Sequence, residues 1–123
     1  MRYSTVLMAF LLAPVFYLEP MIAAAQTNQW IREENEFINL IDGKTLKRFL
    51  IKLSVGKDGT ISGTGAGIDV KGNWYWQGDY FCRSLFWGER DLGSDCQKVE
   101  LINQKLFFTA DQGRGETAGF TVK

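Results

Sequence analysis

Between Glu33 and Asp42 the apolar residues Phe37, Ile38, Leu40 and Ile41 recur at near-helical spacing, acidic residues fill the first turn, and Gly43 follows in the position of a helix terminator. This pattern predicts one short amphipathic helix. Just before it, Asn28 to Ile31 reads as a short strand or an extended lead-in. Beyond Thr45 the period changes to two. In "LKRFLIKLSV" the residues Phe49, Ile51, Leu53 and Val55 alternate with Arg48, Leu50, Lys52 and Ser54, the signature of one half-buried strand. "GKDG" at 56–59 is a tight-turn signal, after which "TISGTGAG" returns antiparallel, its glycines marking bends or close packing. "VKGNWYWQ", "YFCRSLFW", "CQKVELI", "LFFTA" and "TAGFTVK" are further strand candidates, and the polar run "GERDLGSD" reads as a loop. About seven antiparallel strands, with turn signals every 8 to 12 residues or so, predict a small mostly β barrel or sandwich with one N-terminal helix packed on it.

The first residues, "MRYSTVLMAFLLAPVFYLEPMIAAAQT", follow a different rule. One cation at Arg2, an apolar run from Val6 to Ala13 and small residues at Ala23, Ala24 and Ala25 form a secretory leader, with cleavage expected after Ala25. A membrane anchor would need roughly 20 uninterrupted apolar residues, and Pro14, Glu19 and Pro20 break this run. Cleavage leaves Gln26 to Lys123, which is 123 less 25, or 98 residues. That length suits one small β domain, periplasmic or secreted, without a membrane span. The whole chain carries 14 cations and 14 anions; loss of Arg2 and Glu19 leaves 13 of each. The charges are interspersed, which excludes the basic stripe that nucleic acid requires.

Both cysteines, Cys82 and Cys96, lie after the leader, and an even count in a small exported domain favours a disulfide. Beside them runs "GNWYWQGDYFC", with five aromatic residues in eleven. Strand alternation puts Trp74 and Trp76 on one face and Tyr75 on the other. Two readings of this ribbon stand: core packing beside a disulfide, or a shallow site for a ligand or a partner's side chain. On the second reading the candidate surface is Trp74, Trp76, Tyr80, Arg83 and Trp87, with Asp91 and Asp95 from the polar run.

Other chemistry has little support. "GTGAG" at 63–67 lacks the Gly-x-Gly-x-x-Gly spacing, and strand-like sequence follows where a dinucleotide loop needs a helix. Glu89, Asp91, Ser94 and Asp95 offer oxygen ligands without a calcium-loop spacing. The pairing of Asp69, Asp79 or Glu89 for acid and base work depends on distances that sequence does not fix. There is no histidine, so the commonest general base is missing. No metal or cofactor is expected.

The segments "EFINLIDGKTL", "DGTISGTG", "GNWYWQGDYFCR", "WGERDLGSDCQ" and "LFFTADQGRGE", in this order, resemble a family of small exported bacterial proteins often labelled dihydrodipicolinate reductase. The similarity covers most of Glu36 to Phe120, and the cysteines around the "WG" segment look like that family's hallmark. Taken literally, the label implies a cytoplasmic enzyme using a nicotinamide cofactor. This chain departs from that in its leader, its length, its glycine spacing and its lack of histidine. The resemblance therefore bears on fold and location more than on activity. The sequence thus leads to an exported binding or interaction protein, monomeric or weakly oligomeric, that meets a small ligand or an envelope protein. The runner-up is an inhibitor of a secreted or envelope hydrolase that presents a rigid polar loop at 88–95, and a reductase is the third reading.

Overall fold

A computed structural model of the chain describes residues 11–19 and 28–123. Arg2, the start of the apolar run and the Ala23 to Ala25 cleavage signal lie outside the described residues. Residues 11–19 form neither helix nor strand and are exposed. Among the described residues no helix is long and apolar enough to cross a membrane.

Strand β1 (Asn28–Ile31) leads into helix α1 (Glu34–Ile41), whose buried stripe is Phe37 and Ile41. Asp42 caps the helix by donating its N–H to Ile38, and Gly43 then takes a left-handed φ of 69°. That is the terminator the sequence implies. Eight strands follow in a meander: β2 (Leu46–Arg48), β3 (Ile51–Val55), β4 (Thr60–Gly65), β5 (Ile68–Gln77), β6 (Tyr80–Trp87), β7 (Arg90–Ile102), β8 (Lys105–Thr109) and β9 (Thr117–Val122). A short helical turn, α2 (Ala110–Gly113), sits between β8 and β9. Each strand pairs antiparallel with the next, and β9 returns to β2 with Val122 opposite Leu46, which closes an eight-stranded barrel. Strand β1 is a ninth strand, laid along the C-terminal half of β7 with Ile31 opposite Val99. Closure pairs the strand edges that a small sheet would otherwise expose.

The barrel has two unlike ends. Helix α1 plugs one of them. The ring of Phe37 lies 5.3 Å from Trp74, 5.3 Å from Trp76, 5.1 Å from Phe81 and 6.2 Å from Phe108. Ile31, Val99 and Leu106 complete this half of the core and are fully buried. The other end is ringed by the tips of the β2–β3, β4–β5 and β6–β7 hairpins. Two of these tips are tied together, Ala66 donating its N–H to the carbonyl of Leu50 at 2.8 Å. Close strand approach in the wall depends on glycine at one point in particular. At Gly63, φ is 152° and a Cβ would overlap the Lys52 carbonyl oxygen, so this glycine of "TISGTGAG" serves packing, while Gly67, at φ 79°, serves the β4–β5 turn.

Two expectations need correction. The segment 46–55 is a hairpin and not one strand: Arg48 pairs with Ile51, and Phe49 and Leu50 form the turn, with Leu50 at φ 61°. Phe49, expected to face inward, is 87% exposed. The polar run 88–95 is strand from Arg90 onward, because β6 supplies a full ladder to which it pairs. Partner strands override the weak β propensity of Asp, Gly and Ser. A bulge at Gly93, φ 75°, absorbs the register shift near Leu85. Asp91 and Asp95 are therefore strand residues, and the rigid polar loop foreseen for an inhibitor is not formed.

Cys82 and Cys96 are bonded to each other across β6 and β7, with Cα atoms 3.9 Å apart. The bond belongs to the outer face: Cys82 is paired with Tyr75, whereas Trp74 is paired with Arg83 and Trp76 with Phe81 on the inner face. Such a bond belongs to an oxidising compartment. With a sequence separation of 14, reduction is expected to lower stability by about 3 kcal/mol on the chain-entropy account. Urea unfolding with and without reductant, set beside a Cys82→Ser, Cys96→Ser variant, measures this; equal midpoints would refute it.

Candidate functional site

The open end of the barrel contains a cavity of about 480 Å³. Its rim is Phe49 and Leu50 from the β2–β3 tip and Leu92 from β7; its walls are Ile51, Val70 and Trp87. Leu53, Leu85, Ala118 and Phe120 also line it, and the same four side chains line a second cavity of about 150 Å³, deeper in the barrel and bounded by Ile61, Phe81 and Phe108. These four residues thus separate an open mouth from a small inner space above the plugged half. A volume near 480 Å³ falls within the range of pockets that take small molecules. Eight-stranded meander barrels are just wide enough either to fill with side chains or to hold one small ligand.

Local sequence explains why the cavity exists. On β3, Ile51 and Leu53 face inward by alternation, and on β5 Val70 does the same; at Gly72, two positions on, the Ser84 carbonyl and the Leu85 side chain occupy the place a Cβ would take. Ala118 is the smallest inward residue of β9. Aromatic residues concentrate at the α1 end, so the bulk needed to close the mouth is spent on the plug. Trp87 is fixed as a wall by its indole N–H, which donates to the Gly65 carbonyl at 2.8 Å.

The mouth is almost wholly apolar. Among the described residues the one charged side chain that lines it is Arg48, whose guanidinium lies 5.6 Å from the centre of the Phe120 ring. The inner cavity adds two polar groups, Arg83 and Gln97. Arg83 donates to the Gly93 carbonyl at 3.1 Å and stands opposite Asp95 in the ladder.

Of the residues the sequence singled out, Trp87 alone lines the mouth, and Arg83 borders the inner space. Trp74 is 5% exposed and belongs to the core, donating its indole N–H to Gly56 at 2.7 Å. Trp76 is half-buried over Phe37, its N–H shared between the Gly78 and Arg32 carbonyls. Tyr80 stacks outside against Trp30, 6.3 Å between centres. Asp91 accepts from the Gly93 N–H at 2.7 Å. Asp95 accepts from the Asp111 N–H at 3.1 Å and lines, with Arg83, a groove beside the disulfide. Trp74 and Phe81 of the ribbon are thus core, and the cavity is lined instead by Phe49, Leu50, Leu53, Leu85 and Ala118, outside the candidate surface. Their signal was faint. Three apolar residues in succession, Phe49, Leu50 and Ile51, cannot all be buried by a period-two strand.

The carboxylates weighed for acid and base work divide between the two ends. Asp79 lies in the β5–β6 turn, near the plug, whereas Glu89 in the β6–β7 turn and Asp69 at the start of β5, whose carbonyl accepts from the Gly88 N–H at 2.7 Å, lie at the opposite end. Gly63 to Gly67 runs from strand into hairpin turn, with no helix following whose N-terminus would receive a pyrophosphate. Asp58, in the β3–β4 turn, has its carboxyl held below the ordinary value of 3.8, first by the Thr60 hydroxyl and then by the Thr60 N–H. That turn is also near the plug, remote from the mouth.

The fold and its cavity define a closed antiparallel barrel, stapled by a disulfide, with one end plugged and one end apolar and open. Comparison of the chain with protein-family models, with curated proteins and with solved structures finds no match in any of the three.

Proposed function

We propose that this chain is an exported binding protein that takes a small apolar ligand, without a cofactor, into the open mouth of its barrel. The observation that carries the reading is the apolar cavity of about 480 Å³ edged by Phe49 and Leu50, which are 87% and 61% exposed. Large apolar side chains gathered at a concave surface mark binding sites far more than single exposed ones do. Export rests on the leader sequence and agrees with the disulfide.

The test is a titration with a small dye that fluoresces only in apolar surroundings. Saturable binding at one site per chain is expected, with a change in tryptophan emission that disappears in Trp87→Phe and persists in Trp76→Phe. Absence of saturable binding, or a change that survives Trp87→Phe, would overturn the reading.

A further inference from the structure

We infer that the ligand of this mouth is a single-chain amphiphile with an anionic head, its tail inside the barrel and its head group on Arg48. The inference rests on the proposed reading of the mouth as an apolar-ligand site and adds the chemical class of the ligand.

Three observations carry it. The first is the contrast within the mouth, where, among the described residues, every lining side chain is apolar except Arg48 at the edge. A charge placed deep in such a cavity would lose its water without compensation, so a charged head belongs at the rim. The second is the state of Arg48: it is exposed, and among the described residues it makes no ion pair. Its guanidinium, held over the Phe120 ring, keeps donors for a planar anion such as a carboxylate, which it can meet with two hydrogen bonds.

The third is the outer groove behind the same hairpin, of about 310 Å³, which Arg48 and Phe49 share with the mouth. Lys47 and Lys105, both opposite Thr121 of β9, line it, so among the described residues it holds three cations and no carboxylate. In a chain with equal numbers of positive and negative residues, that local imbalance favours an anion at this edge. Arg83 is the rival anchor, at the inner end. It is already bonded to Gly93 and faces Asp95 across the ladder, so a second carboxylate there would meet repulsion.

The experiment is displacement of the bound dye by matched ligands, decanoate and decanol, below the concentration at which either self-associates. Decanoate is expected to bind at least ~10-fold more tightly, about 1.4 kcal/mol. That preference should vanish in Arg48→Ala, reverse in Arg48→Glu, weaken in Lys105→Ala and persist in Arg83→Ala. Within the carboxylates, each added methylene should tighten binding by roughly fourfold until the mouth is full. Equal affinity of the two ligands, or a preference that survives Arg48→Ala, would overturn the inference while leaving an apolar site intact. If neither ligand displaces the dye, the reading of the mouth itself fails. Vesicles with an anionic surface provide the last arm. Co-sedimentation with them that needs Lys47 and Lys105, without any decanoate preference, would assign the cations to a bilayer and overturn the inference.

Discussion

Phe37→Ala is expected to destabilise the barrel by about 3–5 kcal/mol, the range for removing a large aromatic side chain from a core. Phe37 has no exposed surface, and its ring is the point at which Trp74, Trp76, Phe81 and Phe108 meet. Relaxation cannot refill the space, because those four rings sit on strands fixed by the closed ladder, while Phe37 and Ile41 are the buried residues of α1, with Ile38 and Leu40 packed beside them at the edge of the core. Against a net stability of roughly 5–15 kcal/mol for a small domain, the loss should move the urea midpoint far down or leave the chain partly unfolded. Urea unfolding followed by circular dichroism measures it. A shift equivalent to less than about 1 kcal/mol would mean that α1 does not plug the barrel.

At the other end, Ala118→Trp is expected to weaken dye binding by at least ~10-fold while the fold persists. Ala118 lies between the mouth and the inner cavity, so an indole there would occupy the space the ligand needs. Added side-chain volume in a packed core costs about 1–3 kcal/mol; here an existing cavity receives it, so the stability loss should fall at or below that range. Wild-type affinity in this variant would place the bound dye elsewhere on the molecule.

These two substitutions separate the parts of the molecule that the sequence revealed from those it hid. The helix was legible because Phe37 and Ile41 repeat at its period and Gly43 ends it. Most strands were legible because alternation is strict where one face is buried, as at Ile51, Leu53 and Val55 or at Trp74 and Trp76. The cysteine pair was legible from its count and setting. The β2–β3 hairpin was not, because its turn carries Phe49 and Leu50 in place of the usual Gly, Asn or Asp. A clue was present all the same. Leu46 is buried, and so is Val55, which follows it by an odd number of positions; one uninterrupted strand cannot direct both to the same side.

The first half of the strand from Arg90 to Ile102 was hidden for another reason. From Arg90 to Asp95 it is mostly Asp, Gly and Ser, with Leu92 its one apolar residue, and only pairing with β6, pinned by the Cys82–Cys96 bond, makes it extended. The mouth was hidden because a cavity is formed by what is missing. Ala118 leaves room that the residue does not announce, and no local pattern tells which end of a barrel the large side chains will fill. The aromatic ribbon drew attention to Trp74 and Trp76, which the structure assigns to the core, while Trp87, eleven positions beyond Trp76 and on the same inner face, stands at the cavity.

The most direct test of the account is a methyl-detected NMR titration with decanoate. The resonances of Leu53, Val70, Leu85 and Ala118 should shift and saturate together, while those of Ile31, Ile41 and Val99, around the plug, stay in place. Movement confined to the plugged half, or none at saturating ligand, would contradict it.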